Sequence, residues 1–529
     1  MSFSPDEISR QLKHVLDSPD FQATPMQRAF LKFVVDQKLA GNTHRIKAYT
    51  VATEVFGRKS DFDQSIDPIV SIQASRLRRA LDQYYQSTGK NDTIRVDIPK
   101  GTYVPVFNKQ KEFKSEKRSP KDNSIKPGTK DSKPILLIQP FQDLTSDPDQ
   151  RFFTIGLVED LVTELSRFQD VVALSCQRLP QTEGMMAGPE ELDKNLGARF
   201  LLGGILRKDR ATVKVSIYLT DKRSRRQIWA KAYKTQLEAS RLISSQEEIA
   251  RNVVSAVASE YGVIARRLSA ESIKKAPSTL STFEAMMRYY AYMVNQSPLE
   301  IESSFGALQQ AVKREPEYGP TWSALADFYC DAYAFDTPNF DRPLENAMHY
   351  ARRGASLEPG FQIGRRVLAY ALCLAGDRSE FEKEIKAALA LNPRSTLTLG
   401  YAACCYTFFG EFTRGRSLMN KALEANPYYP SWFHLVSYFD HFRKGEYERA
   451  LLEFEKYRLN ENYWVHVLGI AALGKLNRAV EAKAYIEEIN KLKPDFASRA
   501  RELICRPIKV DTLSDDLIDG LCKGGLLVN

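Results

Sequence analysis

The sequence predicts a multidomain chain of mixed α+β class. A small N-terminal helical unit is closed by a two-strand ribbon, a central mixed α/β layer follows, and the C-terminal part is an all-α array. Three observations predict this. The helical stretch IVSIQASRLRRALDQYY (69–85) is followed, after a short polar gap, by the alternating stretch TIRVDIPKGTYVPVF (93–107). Between residues 134 and 270, apolar runs of strand length alternate with helical periodicity. From residue 283 onward the pattern is helical and repeats, with Pro359, Pro393 and Pro427 spaced by 34 residues.

At 529 residues the chain is too long for one core, which predicts about three or four domains. Its apolar share of 43% and charged share of 27% are those of a globular protein. The net charge of +9 permits a nucleic-acid partner without requiring one. Residues 1–110 carry 16 Lys or Arg against 12 Asp or Glu, so the placement of charge is more informative than its sum. The seven cysteines contain no C-x-x-C pair and are odd in number, which points to a reducing compartment. No histidine stands in ligand spacing with a cysteine or carboxylate, so neither a metal nor a cofactor is expected. The start, MSFSPDEISRQL, lacks the pattern of a signal peptide, and no apolar run approaches the ~18–20 residues of a membrane span. A cytoplasmic protein without membrane contact is the expectation.

In order along the chain, a short helix ends at the turn Thr24-Pro25. A helix then carries Phe30, Leu31, Phe33, Val34, Val35 and Leu39, and stops at Gly41. Another runs from about Tyr49 to Phe56 and ends at Gly57. Asp67-Pro68 opens the helix bearing Arg76, Arg78 and Arg79, with Pro where a missing N–H costs nothing. The alternation Ile94, Val96, Ile98 breaks at Pro99-Lys100-Gly101. A basic helix followed by a ribbon with a Lys-Gly tip is the layout of a winged helix-turn-helix. That layout sets the helix in the DNA major groove and the ribbon beside the backbone. Residues 1–107 are therefore read as a DNA-binding domain, with double-stranded DNA as partner.

Residues 108–133 are lysine-rich and nearly devoid of apolar side chains, which predicts a flexible basic linker. Within 134–270, PILLIQPF reads as a buried strand, Leu157–Phe168 as an amphipathic helix and VVALSC as a second strand. Leu192–Leu196 reads as a short helix. Three antiparallel strands follow (200–207, 212–220, 227–233), and one long helix, 243–268, closes the domain. Gly203-Gly204 inside a strand predicts a bulge.

Over 283–496 the phrases AVKREP, ASLEP, LALNP, LEANP, RLNE (which lacks the proline) and KLKP mark six repeats of the 34-residue tetratricopeptide type. The one 43-residue step requires an insertion, placed at AFDTPNFDR between the helices of the second repeat. Ala311, Ala369, Ala388, Ala403 and Ala422 fall where helices must approach closely. Such a solenoid presents a concave face to a protein partner or a second copy of the chain. Residues 497–529 are a capping segment or tail.

Several phrases carry a family resemblance. IQASRLRRAL and VDIPKGTYVPVF resemble the recognition helix and wing of OmpR/PhoB-type winged helices, departing at Thr102, where that family usually has a second Gly. PILLIQPFQDLTSDPDQRFFTIGLVEDLVTELSRF and LGARFLLGGILRKDRATVKVSIYLTD resemble TolB-N-terminal/FlgO-like domains. Together with the repeats, the chain resembles bacterial regulators that place these three parts in this order. The resemblance maps Ser71, Gln73, Ser75 and Arg76 onto the groove-facing surface, where Gln suits adenine and Arg suits guanine. It leaves Arg79, Lys100 and Thr102 for phosphate. Helical spacing offers Arg78 an ion pair with Asp82. Leu77, Leu81 and Tyr84 are expected in the core.

Glu159, Asp160 and Glu164 lie on an amphipathic helix and read as a solvated face, and Cys404-Cys405 as helix packing. The chain is thus expected to be a bacterial transcription regulator acting by binding, with a homodimer among the assemblies that the repeats allow. The rival reading is a protein-interaction scaffold that does not bind DNA. A nucleotide cyclase, sometimes associated by name with relatives of this group, would need paired metal-binding carboxylates in a catalytic domain of its own, and every segment is already assigned.

Overall fold

A computed structural model describes residues 3–528 apart from 19, 22, 59–68, 87, 100–101, 110–132, 146–147, 177–196, 210–211, 237–241, 296–297 and 458–461. The linker, the Leu192–Leu196 helix, the Asp67-Pro68 opening and Lys100 fall wholly or mostly outside the described residues. The chain forms two compact units, Met1–Lys121 and Asp122–Asn529.

In the first unit, α1 (Pro5–Asp17) starts at a capping box between Ser4 and Glu7. α2 (Pro25–Leu39) starts the same way: the Thr24 hydroxyl accepts from the Gln27 N–H, the Gln27 side chain accepts in return, and Pro25 fills the first position. α3 (Ala48–Thr50) runs into a π turn, Val51–Val55. α4 (Ile69–Gln86) follows, then β1 (Ile94–Asp97) paired antiparallel with β2 (Val106–Lys109). Leu77, Leu81 and Tyr84 are buried, as their helical spacing predicts, among Phe30, Val34, Val51 and Val96. Burying each such side chain stabilises the unit by roughly 1.5–3 kcal/mol. The Tyr85 hydroxyl accepts from the Val96 N–H at 2.9 Å, fastening the ribbon to α4.

The second unit opens with β3 (Ile135–Ile138), β4 (Gln142–Asp143), α5 (Pro148–Leu165) and β5 (Val172–Ser175). Then come β6 (Phe200–Asp209), β7 (Thr212–Asp221) and β8 (Arg226–Gln236). Among the described residues they form one sheet in the order β5-β3-β6-β7-β8, with β4 also beside β6. The β3 pairings are parallel, and β6-β7-β8 is an antiparallel meander. Gly203 and Gly204 do not form the expected bulge, since they pair in register with Tyr218 and Ile217. They are glycines because a Cβ would lie 2.8 Å from the Tyr218 ring and 2.5 Å from the Phe141 ring. The register irregularity falls between Leu219 and Thr220 instead.

The single long helix expected over 243–268 is two: α6 (Leu242–Ala258) and α7 (Val263–Ser272). The break buries Ser259, Glu260 and Tyr261. Gly262 permits it, because a Cβ there would meet the Val257 carbonyl oxygen at 2.7 Å. Phe153, Leu157 and Leu161 of α5 and Ile249, Val253 and Val257 of α6 are buried in the core beside the sheet.

Six helix pairs follow among the described residues: α8 (Thr282–Asn295) with α9 (Pro298–Arg314), α10 (Gly319–Ala334) with α11 (Pro343–Leu357), and α12 (Gln362–Ala375) with α13 (Arg378–Leu391). The rest are α14 (Thr396–Phe408) with α15 (Phe412–Ala425), α16 (His434–Arg443) with α17 (Tyr447–Phe454), and α18 (Tyr463–Lys475) with α19 (Ala479–Leu492). Ala311, Ala369, Ala388, Ala403 and Ala422 are fully buried. The insertion lies between α10 and α11, and its loop takes left-handed φ at Asp336, Asn339 and Arg342. Asp336 accepts from Lys493, Arg499 and Arg506 at 2.6–2.7 Å, so the loop is tied to the C-terminal segment. That segment forms α20 (Phe496–Cys505) and α21 (Asp511–Lys523), and α21 packs on α18, where Gly520 approaches the Ala471 carbonyl.

The stretches read from sequence as separate domains, 134–270 and 283–496, share one hydrophobic core. The repeat phrases themselves make the join. Asn392 of LALNP donates to the Arg167 carbonyl, and Asn426 of LEANP donates to Ser259 Oγ at 2.9 Å. Gly360, after ASLEP, accepts from Gln169. Glu260 accepts from Gln362 at 2.8 Å and Ser395 at 2.7 Å. Its burial pushes the carboxyl pKa up, against a backbone hydrogen bond, the Ser395 hydroxyl and the Arg366 charge.

Candidate functional site

On α4 the buried residues Val70, Ala74, Leu77, Leu81 and Tyr84 form one stripe. At 100° per residue the positions away from that stripe include Ser71, Ser75, Arg76 and Arg79. These four predicted contact residues therefore share the face turned from the core, and their side chains lie outside the described residues. Gln73 differs. It is half-buried, and its side-chain oxygen accepts from the Gln27 amide at 2.9 Å. The residue that caps α2 thus also orients Gln73, a link between positions 46 residues apart that helical spacing along α4 does not show.

Arg78 is the residue that sequence reasoning underrated. Its Nε donates to the Ile98 carbonyl at 2.6 Å, and its Nη2 donates to those of Pro99 at 3.1 Å and Thr102 at 2.9 Å. The expected partner Asp82 has its side chain outside the described residues. Partial burial pulls the Arg78 pKa down from its ordinary value, and the charge is retained because guanidinium stays protonated at any physiological pH. Arg78 fixes the turn of the ribbon against α4. Thr102 contributes to the same turn: it is half-buried, its hydroxyl accepts from the Val104 N–H at 3.1 Å, and its N–H reaches the Pro99 carbonyl. A planar fork of donors converging on carbonyls is a geometry that Arg supplies and Lys does not. In sequence, the only sign was a third arginine placed on the buried side of a basic run.

The acidic group on α5 is half-buried instead of forming a fully solvated face: Glu159, Asp160 and Glu164 are each partly covered, and Glu164 pairs with Arg167. Burial first, then Glu247 and Glu164, push the Asp160 pKa up, with Arg251 opposing. Cys404 and Cys405 are buried free thiols, consistent with packing. Among the described residues no three His, Cys, Asp or Glu side chains converge as a metal site, and no helix is long and apolar enough to cross a membrane.

No family model matches the chain. A protein of Rhizobium meliloti (strain 1021) named "Putative adenylate cyclase 3" is 22% identical over 213 residues, which is 39% of this chain. The match spans 35% of that relative's own length. Among solved structures, the human IFIT1 dimer with m7Gppp-AAAA aligns at a TM-score of 0.35 and 16% identity, over 54% of this chain and 72% of that one. A monomeric IFIT1 mutant with Gppp-AAAA aligns at the same score over 55% and 69%. The likeness is loose.

Proposed function

We propose that the chain is a bacterial transcription regulator that binds double-stranded DNA through a winged helix-turn-helix in its first unit. The observation that carries this reading is the pairing of α4 with the ribbon. The α4 face turned from the core carries Arg76 and Arg79, and Arg78 holds the ribbon turn beside the same helix. Hydrogen bonding and positive charge are what such a face offers, and both are what a DNA groove accepts. Arg76 and Ser75 are assigned to base edges, and Arg79, Lys100 and Thr102 to phosphate. Gln73, with its oxygen already held by Gln27, serves first to orient the helix. The α/β layer resembles TolB-type domains and couples to tetratricopeptide-type repeats, which take a protein partner or a second copy. A dimer would meet half-sites about 10 base pairs apart, or a simple multiple of that.

The test is genomic binding of the purified protein at two salt concentrations, followed by electrophoretic titration of the recovered sites. Arg76→Ala is expected to cost on the order of 1–3 kcal/mol of affinity and to relax preference at one base. Arg79→Ala is expected to weaken all sequences alike and reduce the salt slope. An Arg76→Ala protein with unchanged affinity removes that residue from the assignment. No salt-resistant site on any duplex leaves the scaffold reading, which the extended helical array supports. The name of the Rhizobium relative does not transfer a cyclase activity here, because the matched part is about a third of that protein.

A further inference from the structure

The first helices of five successive pairs (α10, α12, α14, α16 and α18) line a common, partly open pocket. Its walls include the rings of Tyr370, Tyr401, Trp432, Tyr457 and Trp464, and Pro507 of the C-terminal segment stands at its border. Asp331 is the one charged side chain among the described residues that line it. The polar tips of two rings are engaged elsewhere: Tyr401 hydroxyl on Asp327, and Trp432 Nε1 on the Met293 carbonyl at 3.2 Å. What those two residues have left to present is aromatic surface, whose π faces carry negative potential. Asp331 is 4% exposed and accepts from the Tyr292 hydroxyl at 2.9 Å and from Tyr370 at 3.4 Å. A carboxylate has about four acceptor positions, so two phenols leave room for another donor. The nearby cation acts on it only at a distance, because its hydrogen bonds go to other groups. Arg366 donates to Asp327 at 3.0 Å, and its guanidinium lies 4.3 Å from the centre of the Tyr401 ring. The pocket thus holds a buried acid hydrogen-bonded to two phenols, with Arg366 bonded to Asp327 instead, inside an aromatic wall.

We propose that this pocket binds a small organic cation, a quaternary or protonated amine, with Asp331 as its counter-charge and Trp432, Tyr457 and Trp464 as its cage. Aromatic cages attract such cations through the negative faces of their rings when water is excluded, and a carboxylate adds charge pairing that a neutral ligand of equal shape cannot use. A simple sequence signal accompanies the site: Tyr370, Tyr401 and Trp432 recur at 31 residues, against a repeat of 34, and their rings meet edge to face at 5.0 and 5.3 Å. This assignment does not depend on whether the first unit binds DNA.

The experiment titrates the full-length protein at pH 9, where the Asp331 carboxyl is ionised, with choline and with its neutral analogue 3,3-dimethylbutan-1-ol, read by tryptophan fluorescence and by calorimetry. Saturable choline binding at least about tenfold tighter than the analogue is expected, tenfold being ~1.4 kcal/mol. Asp331→Asn is expected to lower choline affinity about tenfold and leave the analogue unchanged. Trp464→Phe, which keeps an aromatic face, is expected to retain most of the choline affinity, and Trp464→Leu to lose several-fold. The Trp464 pair provides the test should Asp331→Asn unfold. Equal binding of choline and its analogue, or binding of neither at millimolar concentration, overturns the proposal.

Discussion

The fully buried Asp327–Arg366 pair sets up an asymmetric experiment. Arg366 is 1% exposed and Asp327 0%, and they meet at 3.0 Å. Tyr289 and Tyr401 also donate to the same Asp327 oxygen, at 2.6 and 3.4 Å, and Arg366 donates to the Tyr289 hydroxyl at 2.7 Å. One network thereby ties the first helices of four successive pairs. Burial alone would pull the Arg366 pKa down, but Asp327, Tyr289 and Tyr401 outweigh it and hold the guanidinium well above its ordinary value. Asp327→Asn removes the counter-charge from a cation that cannot shed its proton, so the loss should reach the 3–5 kcal/mol of a broken buried pair. Arg366→Met leaves a carboxylate that still has two phenol donors and can neutralise itself by taking a proton, so its loss should be smaller. The double variant Asp327→Asn/Arg366→Met should recover most of the stability, since no buried charge is left alone. All four tryptophans lie within Asp122–Asn529, so urea unfolding followed by their fluorescence reports on this unit. An Asp327→Asn loss below about 1 kcal/mol, or an Arg366→Met loss larger than that of Asp327→Asn, would refute the reasoning.

Three further outcomes are expected. Arg78→Ala should remove the donors to Ile98, Pro99 and Thr102, costing about 1.5–3 kcal/mol locally, seen as faster hydrogen exchange across 94–107 with the second unit unaffected; Arg78→Lys should not restore the fork. Asn426→Ala should lower the unfolding free energy of the second unit by about 1–2 kcal/mol, seen as a lower urea midpoint, because Ser259 loses a buried donor; an unchanged midpoint would remove that contact from the joint. Burial, then the neighbouring Asp327, pushes the Asp331 pKa up to about 8, against the Tyr292 and Tyr370 hydroxyls and the Arg366 charge. The folded state therefore binds this proton more tightly than the unfolded chain does. Stability from this group is complete below about pH 4 and is lost as pH rises towards 8, and Asp331→Asn should flatten that slope in urea midpoints.

Local chemistry was legible where it is local. Thr24-Pro25 marked the start of α2, the spacing of Leu77, Leu81 and Tyr84 marked the core side of α4, and the alanines marked close helix contacts. The insertion fell where the uneven spacing put it. Features set by distant partners were not legible. The periodicity of 243–268 runs on through Gly262, and only the repeats packed against Ser259 and Glu260 show why the helix stops there. Gly203 and Gly204 look like a bulge until Tyr218 and Phe141 are seen lying across them. Gln73 read as a member of the contact face and Arg78 as a partner of Asp82, because the groups they hold, Gln27 and the ribbon turn, are 20 or more residues away in sequence. The boundary drawn between the α/β layer and the repeats followed a real change of pattern, which does not reveal that the two halves share a core.

Asn392, Asn426 and Gly360 give the helical array an address on the sheet domain at each of three consecutive turns. Free-standing solenoids can gain or lose a module because every unit leans only on its neighbours. Here each turn must also find its own fixed mark on a second surface, like teeth meeting a rack. Deleting one 34-residue module would shift every later turn off its mark, so the array's length is held by the layer beneath it. The second unit should then melt as a whole instead of unzipping from one end.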